Sequence, residues 1–150
     1  RGKITEEQYL KDILRKSGWK IEKEEFKKII RDNFVEIPET RKVIRLLKKK
    51  YKIVVLSVHA REWIEYCQGK FGLNELFSDG AFFSFAMRVM KPEKAAFTEV
   101  LRALKARPEE TLFIDDSEVN IKSAQSLGMN TIQFESAKQL KRELIRLNII

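Results

Sequence analysis

The segment 111–128, TLFIDDSEVNIKSAQSLG, constrains the fold of this chain more than any other stretch. Its first four residues are β-branched, apolar or aromatic, which is typical of a buried strand. Asp115 and Asp116 end that run, and Ser117 follows where the N-cap of a helix is expected. Gly128 is expected to end the helix. Two carboxylates are therefore predicted where a strand ends and a helix begins, which is the edge at which open α/β sheets bind ligands.

Two adjacent carboxylates repel each other, and confining both at a partly buried strand end increases that cost. A divalent cation or a lysine ammonium group would relieve the repulsion. A solvated Asp-Asp-Ser turn that only caps a helix is about equally compatible with this segment taken alone. Other residues of the chain are needed to distinguish a ligand-binding site from a simple helix cap.

The composition is that of an ordinary globular domain of 150 residues. The net charge of +8 does not indicate a nucleic-acid partner, because the lysines are interleaved with glutamates and form no basic arm. No run is apolar enough to cross a membrane, so we expect no membrane partner. The single cysteine, Cys67, excludes an internal disulfide, and its apolar neighbours at helical spacing place it in the core. We therefore predict a cytoplasmic protein.

The segment before the first strand predicts helices only. A capping box at 5–8 begins the first helix, and a second helix runs from about residue 22 to residue 34. Two consecutive amphipathic helices of this kind predict an antiparallel hairpin. We assign residues 1–36 to a small helical cap segment and residues 37–150 to an α/β core.

Strands and helices alternate through the core. After a helix that begins at Pro38, the predicted elements are a strand at 52–57, a helix at 60–71, a loop at 72–80, a strand at 81–85, a helix with Pro92 in its first turn, the strand and helix of 111–128, a strand at 130–134 and a helix capped by Ser136. This alternation predicts a doubly wound, mainly parallel sheet with helices on both faces. The carboxyl ends of parallel strands share one edge, so Ser57, Lys91 and the two acids should converge in one crevice. A hydroxyl, a cation and carboxylates together suit a phosphoryl group with Mg²⁺.

Three motifs in this order carry a resemblance to a known family. VVLS, KPEKAAF and FIDDSEVN with its downstream alanine and LGM are similar to motifs II, III and IV of the haloacid dehalogenase (HAD) superfamily. The opening RGKITEEQYL resembles the start of the small helical cap of its sugar-phosphatase-like members. The resemblance covers essentially the whole chain. It implies a HAD-like doubly wound parallel sheet and a Mg²⁺-dependent hydrolase that acts on a small phosphorylated metabolite through an aspartyl-phosphate.

The same resemblance implies a role for each matching residue. The implied catalytic residues are Ser57, whose hydroxyl bonds the phosphoryl oxygens, Lys91, which neutralises charge, and Asp115, which holds Lys91. Asp116 is the implied Mg²⁺ ligand. The implied substrate-binding residues are Ser57, Val58, His59 and Lys91, and the implied supporting residues are Ser117 and Asn120. For His59 a role in capping the next helix is favoured over substrate contact, and Arg61 and Trp63 are likewise interpreted as structural.

Three departures from the family pattern stand out. Motif I, an apolar strand that ends in Asp-x-Asp, is absent, although it supplies the family's nucleophile and its general acid/base. Val58 stands where motif II usually has asparagine, and Arg88 stands where a glycine usually precedes the motif III lysine. Motif I lies upstream of the cap in the family, so we expect it before Arg1 in a longer protein, or a companion segment that fills its place at the centre of the sheet. This chain by itself is then expected to be inactive.

Two other functions remain open. A non-catalytic HAD-like binding module would explain the absent motif I and the change at Val58, but the retained Lys91 and Asp116 argue against it. A 2-haloacid dehalogenase works without metal and generally lacks the paired acids of motif IV, so the Asp115-Asp116 pair argues against that alternative.

Overall fold

Helices precede, separate and cover two pairs of parallel strands in the computed structural model, which describes residues 2–150. The helices are α1 (Glu6–Ser17), α2 (Lys23–Asp32), α3 (Pro38–Leu47), α4 (Arg61–Phe71), α5 (Leu73–Leu76), α6 (Ser84–Met87), α7 (Lys94–Leu104), α8 (Glu118–Gln125) and α9 (Ala137–Arg146). The strands are β1 (Val55–Ser57), β2 (Ala81–Phe83), β3 (Leu112–Asp115) and β4 (Asn130–Gln133), with a 3₁₀ turn at Pro108–Glu110. Of the described residues, none belongs to a helix that is both long and apolar enough to cross a membrane.

The predicted capping box begins α1. Thr5 Oγ1 accepts a hydrogen bond from the Gln8 N–H at 3.2 Å, and Gln8 Oε1 accepts one from the Thr5 N–H at 2.9 Å. Gly18 ends the helix in the left-handed conformation, and α2 then packs against α1. The helical hairpin is present as predicted, whereas the domain boundary after residue 36 stays a prediction. Arg1, the first residue of the predicted cap, lies outside the described residues.

The strands pair in parallel, as predicted, but they form two separate sheets. β1 pairs with β2, and β3 pairs with β4. Within residues 2–150, β1 and β3 share no hydrogen bonds, so each pairs on one side only. Within the described residues the expected sheet is therefore interrupted between β1 and β3, at the place where the sequence analysis expects the missing motif I strand. The physical reason is that no strand of this segment lies between them to carry the hydrogen-bond ladder across.

Both faces of the β3–β4 sheet are covered by helices. One face packs on α3 and α9 through a buried apolar cluster of Val43, Leu47, Ile132, Leu140 and Leu144. The other face packs on α7 and α8 through Phe97, Leu101, Ala124 and Met129, with Phe113 of β3 against them. Successive residues of β3 thus alternate between the two clusters, as the pleat of a strand buried on both faces requires. This packing holds the carboxyl end of β3, and with it Asp115, in a defined position.

Several predicted boundaries around the first sheet are wrong. The strand predicted at 52–57 covers only β1, because the Ile53 N–H bonds the Asp79 carboxylate at 2.8 Å instead of a neighbouring strand. The loop predicted at 72–80 contains α5, whose Leu76 is buried. The strand predicted at 81–85 stops at Phe83, where α6 begins. Buried side chains in both short helices show that packing decides these segments.

Two predicted helix ends also differ. Pro92 lies before α7 and outside its first turn, since Glu93 is the N-cap and Lys94 the first helical residue. Helix α8 ends at Gln125, and Gly128 follows in the turn with φ of 84°. In both places a turn separates the residue from the helix. The predicted helix cap at Ser136 is confirmed, because its side chain accepts a hydrogen bond from the Gln139 N–H.

Candidate active site

An ion pair joins the end of β3 to the segment before α7. Lys91 Nζ lies 2.6 Å from Asp115 Oδ2, and the two side chains are only 13% and 6% exposed. The other carboxylate oxygen, Oδ1, accepts hydrogen bonds from the Ser117 N–H and from Asn120 Nδ2, each at 2.9 Å. The predicted pairing of Lys91 with Asp115 is therefore present. Asn120 and the backbone of Ser117 support the acid. Ser117 is the N-cap residue of α8, as predicted, although its side chain makes no capping hydrogen bond.

These contacts determine the charge state of Asp115. Burial by itself raises the pKa of the carboxyl group, but the hydrogen bonds from Lys91, Asn120 and the Ser117 N–H lower it further than burial raises it. The net result is a pKa below the ordinary value of 3.8. Asp115 is thus ionised at neutral pH, and both of its oxygens are occupied, so it positions Lys91 and has little capacity left for a metal ion.

Asp116 has the opposite environment. Its side chain is exposed, and its backbone carbonyl accepts a hydrogen bond from Gln133 Nε2 at 3.2 Å. No other described residue forms an ion pair or hydrogen bond with its carboxylate. Residues 2–150 contain no group of three or more metal-ligating side chains. Asp116 offers one available carboxylate to Mg²⁺. A single protein carboxylate is compatible with a Mg²⁺ ion that keeps several waters and binds a substrate phosphate.

Ser57 and His59 lie at the carboxyl end of β1. The His59 N–H donates to Ser57 Oγ at 3.4 Å, and Val58 between them is 42% exposed. Burial lowers the pKa of His59 below 6.5, and the positive charge of Lys91 lowers it further. His59 is therefore neutral at pH 7.

His59 does not cap the following helix, so that interpretation of it is wrong. The N-cap of α4 is Ala60, and no side chain caps it. The imidazole instead contacts the edge of the Phe34 ring, with centroids 5.5 Å apart, and lies 6.1 Å from the Trp63 ring. The loop after β1 thus packs on the end of the helical hairpin through aromatic contacts.

One buried carboxylate escaped the sequence analysis. Glu6, in the first turn of α1, is 4% exposed and accepts a hydrogen bond from Trp63 Nε1 of α4 at 2.7 Å. It also pairs with Lys27 Nζ at 3.1 Å and Arg31 Nη2 at 3.2 Å, both on α2. Trp63 is therefore structural, as predicted, because its indole joins the hairpin to the core. The sequence carries no local sign of this contact, since Trp63 lies 57 residues from Glu6.

Two concave surfaces meet beside the end of β1. A largely apolar pocket of about 550 Å³ has Ser57 and Cys67 among its lining residues. The Cys67 thiol is buried, and burial raises its pKa despite an opposing effect of Lys70, so it is protonated and fits the predicted core position. A cleft of about 720 Å³ lies between the first residues of the chain and the loop after β1. Pocket and cleft share three lining residues, His59, Arg61 and Phe85.

Comparison with known proteins supports the resemblance to the haloacid dehalogenase superfamily over most of the chain. The family model described as haloacid dehalogenase-like hydrolase matches residues 4–128. D-ribitol-5-phosphate phosphatase from Bacteroides thetaiotaomicron is 28% identical, over 95% of this chain and 72% of that protein. That relative confirms the predicted sugar-phosphatase-like subgroup.

Solved structures resemble the chain closely as well. A HAD family enzyme from Bacteroides thetaiotaomicron, solved in complex with magnesium and inorganic phosphate, superposes with a TM-score of 0.76 at 27% identity, over 90% of this chain and 71% of that one. A HAD-like family hydrolase from Porphyromonas gingivalis gives 0.77 at 25% identity, over 97% of this chain and 74% of that one. The predicted HAD-like α/β fold is thereby confirmed. With the family match over residues 4–128, these likenesses show that this chain belongs to the haloacid dehalogenase-like hydrolase family of enzymes.

Proposed function

We propose that this chain provides most of a Mg²⁺-dependent phosphomonoester hydrolase that acts on a small phosphorylated substrate. The relative that is a D-ribitol-5-phosphate phosphatase and the related enzyme solved with magnesium and phosphate support this activity. The single, buried Cys67 supports a location in the reducing cytoplasm.

The observation that carries the proposal is the Lys91–Asp115 pair beside the available carboxylate of Asp116. Asp115 holds the Lys91 side chain in place without occupying Asp116. Lys91 and the Ser57 hydroxyl then donate hydrogen bonds to the phosphoryl oxygens, where negative charge is spread in the transition state. Asp116 would supply one Mg²⁺ ligand, and the bound ion would neutralise further charge on the phosphoryl group.

The nucleophile is proposed to lie on a strand between β1 and β3, which each pair on one side only within the described residues. That strand would come from residues preceding Arg1 or from a companion segment. One carboxylate on it would attack phosphorus, forming an acyl-phosphate bond as the ester P–O bond breaks. A second would give a proton to the leaving alkoxide and later take one from the water that cleaves the acyl phosphate.

Hydrolysis of p-nitrophenyl phosphate, with and without EDTA, tests the proposal on this chain alone and on a protein extended upstream by a strand that ends in Asp-x-Asp. We expect no turnover by the chain alone and EDTA-sensitive turnover by the extended protein. In the extended protein, Asp116→Asn should raise the Mg²⁺ concentration needed for half-maximal rate.

Two results would contradict the proposal. EDTA-resistant turnover by the chain alone would mean that a nucleophile lies within these residues. An inactive extended protein that contains Asp-x-Asp would favour the second candidate, a HAD-like binding module, for which the replacement of the motif II asparagine by Val58 is the specific support.

A further inference from the structure

The cleft beside the loop after β1 is strongly basic. Its lining includes the cations Lys3, Arg61 and Arg88, and Glu62 is the one carboxylate among its described lining residues. Glu62 Oε1 accepts a hydrogen bond from the Glu6 N–H at 3.4 Å, and its single negative charge offsets only part of the three positive charges. His59 adds no charge of its own at neutral pH, since its pKa is lowered. Three cations and one carboxylate around a concave surface give a positive potential, which favours an anionic ligand.

Arg61 is the cation whose arrangement is most specific. Its guanidinium carbon lies 4.5 Å from the centroid of the Phe85 ring, and that ring is stacked on Phe83 with centroids 5.3 Å apart. Among residues 2–150 no carboxylate pairs with Arg61, in contrast to Arg31 and Arg102. The contact with the ring face helps to hold the guanidinium group in place, and no described carboxylate occupies its N–H donors. Arg61 also lines the pocket that reaches Ser57, so it lies between that hydroxyl and the cleft.

Arg88 closes the opposite side of the same cleft. Its φ is 66°, a left-handed backbone conformation that favours glycine. The loop therefore keeps the shape expected for glycine although arginine occupies the position. The side chain extends to the first residues of the chain, where Nη1 donates to the Gly2 carbonyl oxygen at 3.3 Å. Strained backbone conformations of this kind are concentrated at functional sites, which is consistent with a candidate site in this cleft.

We propose that the substrate carries a second anionic group, a carboxylate or a second phosphate, and that Arg61 is the residue that selects it. This inference rests on the proposed phosphatase function. A planar guanidinium group donates two parallel hydrogen bonds to a carboxylate or phosphate, whereas a neutral tail would leave those donors without a charged partner. With the phosphoryl group held by Ser57 and Lys91, the second anion would lie in the cleft against Arg61.

A matched series of three-carbon ligands tests this proposal by calorimetric titration of the 150-residue chain in the presence of Mg²⁺. Propyl phosphate has a neutral tail, 3-(phosphonooxy)propanoate has a carboxylate, and 1,3-propanediol bisphosphate has a second phosphate. We expect at least one of the two ligands with an anionic tail to bind at least about tenfold more tightly than propyl phosphate, the scale of one charge-assisted bidentate contact. The stronger of the two identifies the group.

The variant Arg61→Gln should reduce that preference to about twofold and leave the Kd of propyl phosphate unchanged. Arg61→Lys keeps the charge without the planar fork, so it should recover part of the preference. Arg102→Gln removes an exposed arginine on α7 and should behave like the unaltered chain, with circular dichroism confirming that each variant is folded.

The outcomes separate this inference from the proposed function. If propyl phosphate binds and Lys91→Gln weakens it, but the second anionic group adds nothing, the role of Arg61 is wrong and the phosphatase proposal stands. An equal loss for all ligands in Arg61→Gln would also contradict selection. If no ligand binds the unaltered chain, the role of Arg61 is contradicted, while the phosphatase proposal is still decided by turnover of the extended protein.

Discussion

Lys91 and Asp115 illustrate how two residues can be predicted to meet although they are far apart in sequence. The carboxyl ends of parallel strands share an edge, and a carboxylate confined there needs a cation, so the pairing follows from topology and charge together. The structure shows the pair at 2.6 Å. Glu6 shows the limit of such reasoning. Its place in a capping box predicts an exposed side chain. Only the packing of α1 on α4 buries Glu6, where it accepts a hydrogen bond from the Trp63 indole.

The titration of His59 should report both its burial and the charge of Lys91. It is the only histidine of the chain, so its imidazole resonances in proton NMR can be followed without assignment. We expect a midpoint below 6.5, because burial and the charge of Lys91 both oppose protonation. In Lys91→Gln the midpoint should rise but stay below 6.5, since burial remains. Lys94→Gln on α7 serves as the control, and a midpoint at or above 6.5 in the unaltered chain would contradict the geometry.

The same lowered pKa fixes the sign of the effect on stability. Below 6.5 the unfolded chain binds a proton at this histidine that the folded chain does not yet bind. The contribution of His59 to the free energy of unfolding therefore falls as the pH decreases from 6.5 to the folded-state pKa, and it is constant above and below that interval. A plot of stability against pH should show this loss in the unaltered chain, and less of it in Lys91→Gln.

At the scale of elements, long amphipathic helices were predicted well and short ones were not. Helices α5 and α6 span four residues each, which is too short for a helical period to be read from the sequence. They form because Leu76 and Ser84 are buried by neighbouring elements. Where an element is defined by its packing and not by its own pattern, the boundaries could not have been derived from sequence alone.

The first turn of α1 should contribute to the docking of the hairpin on the core. Glu6→Ala removes the acceptor for Trp63 and leaves Lys27 and Arg31 without their buried partner, so we expect a loss of about 3 kcal/mol in the free energy of unfolding. Glu6→Gln keeps an acceptor for the indole and should cost less. Urea denaturation followed by tryptophan fluorescence measures both. The adjacent Glu7→Gln, whose ion pairs are exposed, is the matched control and should change little.

A loss in Glu6→Ala no greater than in Glu7→Gln would mean that the buried cluster does not hold the hairpin to the core. The two glutamates neighbour each other in the same helical turn, so helix propensity and capping are nearly equal in the comparison. What differs is burial, since Glu6 is 4% exposed and the Glu7 side chain is 59% exposed.

At the scale of the whole molecule, two parallel pairs of strands present the candidate groups from opposite sides of a gap. Ser57 is the last residue of β1, Asp115 is the last residue of β3, and Asp116 follows it. The fold class was predictable because strand and helix patterns alternate so regularly, whereas the convergence of Ser57 with Lys91 and Asp116 stays a prediction. Within residues 2–150, β1 and β3 make no hydrogen bonds to each other, so the strands form two sheets. β1 itself spans only three residues.

The central claim is that Lys91, held in place by Asp115, stabilises the transition state of phosphoryl transfer. One measurement tests this claim most directly. In the extended protein, turnover of p-nitrophenyl phosphate by Lys91→Ala is compared with that of Lys94→Ala, an exposed lysine three residues further along the chain. We predict that Lys91→Ala lowers kcat by roughly 10²–10³-fold, the scale for losing one preorganised charge-stabilising group, while Lys94→Ala stays within about twofold of the unaltered protein. A folded Lys91→Ala variant that retains turnover within about threefold of the unaltered protein would contradict the claim.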